Sequence, residues 1–220
     1  MKPYKIFQKI KLRIRIATPL IFYNFYKNYF NKKEIASWFK KGKPIPPPHA
    51  VKEEIVKDIA KKSNLKIFIE TGTFLGDMVN VVKNFFEEIY SIEINEKLYQ
   101  ISKKRFKKYN HIHIIKGDSG GILKFLLRKI NKPALFWLDA HYSGGITDRG
   151  EKETPITKEL QNILNHQLKN HIILIDDVRL FKGKNDYPTI EELRGILNNQ
   201  PHYHLTIEDD IIRIFPFKKK

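Results

Sequence analysis

The chain has 220 residues, 41 Lys and Arg against 24 Asp and Glu, a formal net charge of +17, and no cysteine. That length suits one large α/β domain or one domain with an appendage, with a core that takes roughly 70% of the extended surface out of water. The lack of cysteine excludes disulfides, thiolate metal sites and a cysteine nucleophile, and it agrees with a reducing, cytoplasmic setting.

The charge is uneven. Residues 1–48 carry 12 Lys and Arg against a single acid, Glu34, and the last three residues are all Lys. Residues 49–217 are left with +3. An enzyme of nucleic acids more often lines its working face with Lys and Arg, so this distribution argues against a nucleic-acid partner. Basic tails are ordinarily just solvated. In residues 1–48, however, the cations alternate with Phe, Tyr and Ile, a pattern that also suits peripheral contact with an anionic membrane surface. The longest uncharged run there is Ile16–Tyr26, 11 residues. A spanning helix needs about 20, so none is expected, and the bulky aromatics do not fit a signal peptide.

Residues 1–40 read as one or two helices. In "KKGKPIPPPHA", residues 40–50, four of the five positions 44–48 are Pro, which forces an extended segment. The expected division is therefore 1–48, a basic and aromatic helical appendage with a Pro-rich linker, and 49–220, the main domain. Residues 51–64 form an amphipathic helix with Val51, Ile55 and Ile59 at helical spacing. Strands at 65–70, 88–94, 111–117, 133–141 and 171–177 then alternate with helices at 76–86, 96–109, 120–130, 154–167 and 189–199. Thr154 is the expected N-cap of the fourth of these helices, with Pro155 at its first position. Thr189 and Glu192 stand at capping-box spacing at the start of the fifth. A closing hairpin turns at Asp209–Asp210. Five strand–helix repeats imply a parallel sheet with helices on both faces.

In such a sheet, ligands bind beyond the carboxyl ends of the strands, where the strand order reverses. The stretch "FIETGTFLGDM", residues 68–78, turns from the first strand into a helix through Gly72 and Gly76. Alone it is a weak signal, open to a dinucleotide, a phosphate, S-adenosylmethionine or simple packing. Three strand ends sharpen it. Glu70 closes the first strand, where a carboxylate needs a cation or donors. Glu93 closes the second, where it can accept from a ribose diol. Asp118 and Ser119 follow the third. A dinucleotide site would show G-x-G-x-x-G with free amides, and Glu70 would repel a diphosphate. It suits the sulfonium and ammonium of S-adenosylmethionine.

Further along, Asp139 ends the fourth strand and Asp176 and Asp177 end the fifth. Neighbouring strands lie about 4.8 Å apart, so three carboxylates crowd one rim. A divalent cation such as Mg²⁺ would relieve them. The plainer alternative for Asp177 is an ion pair with Arg179 or a turn cap. "YSGGITDRGEKE", residues 142–153, is long, glycine-rich and aperiodic. It reads as an acceptor-binding lid with Tyr142, Ser143 and Arg149 as contacts. "RLFKGKNDYP", residues 179–188, is a second rim loop.

"IFIETGTFLGDMV", "YSIEIN", "IIKGDS" and "FWLDAH" resemble, in order, the cofactor motifs of class I S-adenosylmethionine-dependent methyltransferases, over about residues 49–217. The resemblance implies a doubly wound, mostly parallel seven-stranded sheet of order 3-2-1-4-5-7-6 with an antiparallel strand inserted last. It places Glu70 near the methionine part, Glu93 on the ribose and Asp118 on the adenine amino group. Thr71, Gly72, Thr73, Gly76, Ser119 and Asp139 are the further expected cofactor contacts. The first motif departs from the family's commoner G-x-G, with Thr73 after a single Gly72. The acidic rim resembles that of small cation-dependent O-methyltransferases of catechols and macrolide sugars. On that resemblance Asp139, Asp176 and Asp177 are metal ligands and His141 is the general base. The expected activity is methylation of a hydroxyl on a sugar, glycan or related small molecule. The competing readings are an RNA methyltransferase that uses the basic tails and a non-catalytic, membrane-associated cofactor-binding protein.

Overall fold

The computed structural model describes residues 20–140 and 154–217, with side chains from residue 27 onward. Contacts divide the chain between Lys52 and Glu53. In the first unit, helix α1 spans Leu20–Lys40. It ends as the sequence dictates: Gly42 and Lys43 adopt positive φ, and the Lys43 amide donates back to the Trp38 carbonyl at 3.0 Å. The Trp38 indole then donates to the Pro44 carbonyl at 2.8 Å, which fastens the start of the Pro-rich stretch. Helix α2, His49–Ser63, begins in the first unit and continues in the second.

The second unit alternates strands and helices: β1 Ile67–Thr71, α3 Asp77–Val82, β2 Glu88–Glu93, α4 Glu96–Phe106, β3 Ile112–Lys116, α5 Ser119–Leu127, β4 Ala134–Leu138, α6 Ile156–Leu164, β5 Ile172–Ile175, α7 Ile190–Asn198, β6 Tyr203–Glu208 and β7 Ile211–Pro216. The seven strands form one sheet in the order β3-β2-β1-β4-β5-β7-β6. β1 to β5 run parallel, and β7 inserts antiparallel beside β5. The expected order and the antiparallel insertion are both present.

Period-2 alternation divides the core between the two faces. Ile67, Ile69, Phe136, Leu138, Ile173 and Ile175 pack with Leu123 of α5, Leu160 and Ile163 of α6 and Leu193 of α7. Phe68, Leu135, Trp137 and Leu174 pack on the other face with Val56 and Ala60 of α2, Met78 and Val79 of α3 and Phe106 of α4. Strands covered on both faces are mostly apolar, and β1 and β4 are buried at every position, with Glu70 and Thr71 as the polar end of β1. Asp209 and Asp210, with φ of 51° and 63°, make the β6–β7 turn, the backbone that a two-residue hairpin requires.

The sequence reading needs correction at some element ends. β4 stops at Leu138 and β5 at Ile175, so Asp139, Asp176 and Asp177 lie in the turns after the strands. The pairing carries on for one more residue on each, through Asp139 N to Thr71 O and Asp176 N to Leu138 O. Asp177 then takes φ 61°, ψ 49° and turns the chain away. At α6, Pro155 rather than Thr154 occupies the N-cap position, although the Thr154 hydroxyl still accepts from the Ile156 amide at 3.3 Å. The Thr189–Glu192 capping box at α7 is complete.

Candidate active site

The strand order reverses between β1 and β4, and the turn after β1 sits there. Gly72 has φ 86°, and a Cβ on it would lie 2.5 Å from the Asp139 carbonyl oxygen. The residue must be Gly because two strand ends meet over it. Gly76 has φ 73°, and a Cβ there would strike the Phe106 ring at 2.4 Å. α4 clamps the same turn from below. Ser102 Oγ donates to the Phe74 carbonyl at 3.0 Å, and Arg105 donates to the Leu75 carbonyl and to Asp77 Oδ1, the latter at 3.0 Å.

Four amides of this turn are spent internally. Gly72 N and Thr73 N donate to the Ile92 carbonyl, Gly76 N donates to the Thr73 carbonyl, and Phe74 N donates to Glu93 Oε2 at 2.7 Å. A diphosphate cradle needs such amides pointing outward, so the turn is not built as one.

Glu70 is 2% exposed and accepts from Ser91 Oγ, which shares a second hydrogen bond of 2.6 Å with Thr73 Oγ1. Burial lifts its pKa well above the usual carboxylate range against the pull of Ser91, and Asp139 and Glu93 add to the rise. Glu93 holds the turns after β1 and β2 together, accepting from Phe74 N and, at 2.8 Å, from Asn95 N. Asp118 is the N-cap of α5 and accepts from Gly121 N at 3.1 Å. Ser119 begins that helix and is buried.

On the other half of the rim, Asp139, Asp176 and Asp177 each offer a carboxylate oxygen, and the three lie within 4.8 Å of one another. Asp176 and Asp177 are about 95% buried. Hard, clustered oxygens of this kind fit a small divalent cation. The ion-pair alternative for Asp177 is also realised. Arg179 Nη1 donates to Asp177 Oδ1 at 2.6 Å and bridges to Asp210 of the hairpin turn. One oxygen of Asp177 thus serves the fold.

A small cleft opens here, lined by Leu138, Asp139, Ala140, Thr154, Glu159 and Tyr187, among others. Three of these polar residues, Thr154, Glu159 and Tyr187, were not among the site residues expected from sequence. Tyr187, in the second rim loop, has its phenol pKa raised by burial first and then by the charges of Asp177 and Asp139. Glu159, on α6, is 1% exposed, and burial raises its pKa to about 7. The Ser119 and Thr71 hydroxyls stand near enough to favour its charged form, yet neither completes a hydrogen bond to it. Its signal was in the sequence. Ile156, Leu160, Ile163 and Leu164 form the apolar stripe of α6, and Glu159 falls on that stripe. His141, Tyr142, Ser143 and Arg149 lie outside the described residues.

No protein-family model matches the chain, and no curated protein matches it in sequence. Solved structures do match. The O-methyltransferase TomG from Streptomyces achromogenes, involved in tomaymycin synthesis and solved with S-adenosylmethionine, superposes with a TM-score of 0.59 at 14% identity, over 86% of this chain and 89% of its own. An O-methyltransferase from Bacillus cereus bound to S-adenosylhomocysteine gives 0.58 at 11%, over 91% and 99%. The methyltransferase PaMTH1 of Podospora anserina, also bound to S-adenosylhomocysteine, gives 0.57 at 17%, over 92% and 98%. The chain has the class I S-adenosylmethionine-dependent methyltransferase fold.

Proposed function

We propose that the protein transfers a methyl group from S-adenosylmethionine to a hydroxyl of a sugar or related small molecule. One observation carries the reading. At a single switch point, a turn whose amides are closed to phosphate stands beside three clustered carboxylates within 4.8 Å. The first arrangement suits a cationic nucleoside and the second an activated hydroxyl. The O-methyltransferase neighbours in fold support the same class.

Glu93, already fixed by two backbone amides, keeps acceptor capacity for ribose hydroxyls. Asp118 is held at a helix start, where it can take the adenine amino group. Asp139, Asp176 and Asp177 would hold Mg²⁺, which when bound lowers the pKa of a coordinated hydroxyl. His141 takes the hydroxyl proton. The acceptor oxygen attacks the methyl carbon in line, and the carbon–sulfur bond breaks to leave a neutral thioether. Holding both reactants in near-attack geometry supplies much of the rate. Calorimetry with S-adenosylmethionine, with and without Mg²⁺, tests the reading. Micromolar binding is expected, and no binding by the folded protein overturns it. Turnover of a hydroxylated sugar panel that is indifferent to chelation would remove the metal alone.

We further propose that residues 1–48 rest on an anionic lipid surface at the cytoplasmic face. Among the described residues no helix is long and apolar enough to cross a membrane. Tyr29, Phe30, Phe39 and Ile45 are exposed, and Lys33 and Lys43 lie over the Tyr29 and Phe39 rings. Aromatics among cations are the chemistry of an interfacial contact. Co-sedimentation with phosphatidylserine vesicles, lost in the 1–48 deletion and at high salt, is the expected result. Equal sedimentation of both chains overturns it.

A further inference from the structure

Glu159 has no task in the reaction proposed above, and its placement is costly. It is 1% exposed on α6, and neither carboxylate oxygen has a hydrogen-bond partner among the described residues. Thr71 Oγ1, at the end of β1 and fully buried, is likewise without one. Burying a carboxylate unpaired costs several kcal/mol in general, and a Leu at this point of the α6 stripe would avoid that cost. Glu159 also borders the cleft, whose lining it shares with Asp139, Thr154 and Tyr187.

We infer that Glu159, with the Thr71 hydroxyl beside it, is a binding subsite for a positively charged group of the ligand. The inference rests on the methyl-donor reading. Its chemistry follows from the surroundings. Asp118 and Asp139 both act electrostatically on Glu159, and Asp176 lines the same cleft. An anion would be repelled there. A neutral donor would satisfy one oxygen of Glu159 and gain nothing from its charge. A cation answers both needs.

Two sources carry such a charge: the sulfonium and ammonium of S-adenosylmethionine, or an amine on the acceptor. Thr71 ends β1 and Ser119 begins the helix after β3, on the nucleoside half of the rim, which favours the methyl donor. The subsite adds a contact from α6 to those made by the strand ends.

Glu159→Gln keeps the shape and removes the charge. Calorimetry compares it with the wild type for S-adenosylmethionine, for S-adenosylhomocysteine, which lacks the sulfonium charge, and for D-glucosamine as an amine probe. We expect Glu159→Gln to weaken S-adenosylmethionine by about tenfold or more and S-adenosylhomocysteine by less. Equal loss for both would assign the ammonium, and loss for glucosamine alone would assign an acceptor amine. Each of these results supports the subsite. Unchanged affinity for all three probes overturns it, whatever happens to the melting temperature. If Glu159→Gln does not fold, Thr71→Val decides, and unchanged affinities there overturn the inference. A wild type that does not bind S-adenosylmethionine defeats the methyltransferase reading instead, and the glucosamine arm then judges the subsite alone.

Discussion

The two halves of the rim handle their carboxylates in opposite ways. On the β1–β3 side, Glu70 accepts from Ser91, Glu93 from two backbone amides and Asp118 from the Gly121 amide. These acids hold their own turns in place before any ligand arrives. On the β4–β5 side, Asp139, Asp176 and Asp177 stand together, and Arg179, which pairs with Asp177, is shared with the hairpin turn. Glu159 adds a fourth carboxylate between the halves. A preorganised half suits a ligand common to every turnover, since ordering costs are met in folding. A half that clusters three carboxylates suits a ligand that brings a cation with it.

That contrast can be broken most sharply at Asp139. Asp139→Ala should lower methyl transfer by about a thousandfold and weaken S-adenosylmethionine far less, read by initial rates and calorimetry on one preparation. Full activity would erase the distinction between the halves. Arg179→Met comes next. It strips the cation from two buried carboxylates and should cost about 2–3 kcal/mol in urea unfolding. Millimolar Mg²⁺ should restore part of that loss, and no restoration would count against a cation among these aspartates. Glu93→Ala should weaken the cofactor by about 10- to 100-fold with turnover at saturation nearly kept, the reverse of Asp139→Ala. A matching loss at saturation would mean that Glu93 serves both halves.

The smallest effect lies away from the rim and serves as its control. His171 is fully buried, accepts from the Ala134 amide at Nδ1 and faces His166 Nδ1 across 2.9 Å. Burial first, then the charges of His166 and Lys169, holds its pKa down to about 4. The fold therefore favours the neutral ring. Its contribution is fully present above about pH 6.5 and drains away as pH falls from there toward 4. Unfolding free energy should drop by about 1 kcal/mol between pH 7.5 and 5.5. Cofactor affinity measured on the folded protein should not follow that drop through His171, which lies at the opposite end of β5 from Asp176.

Much of this was legible beforehand. The strand–helix alternation is local, because buried strands and amphipathic helices write their periods into a few residues each. The acids at strand ends were equally visible, since a carboxylate closing an apolar run is conspicuous wherever the fold puts it. Asp177 shows the limit. Its sequence neighbourhood allowed both a cation and Arg179, and the fold uses one oxygen for Arg179 while keeping the residue within reach of Asp139 and Asp176.

The chain by itself therefore determined the order of elements, the glycine turn and six of the acids on the rim, because these depend on short-range spacing and on what a strand end can bear. Only the tertiary structure decided that Gly72 is pressed against the Asp139 carbonyl, that the amides of Gly72, Thr73 and Phe74 are spent on β2, and that Glu159 stands beside Thr71 without a hydrogen bond. Each of those facts joins residues more than 15 positions apart. Chain proximity carries no signal at that range, and packing alone sets which groups meet.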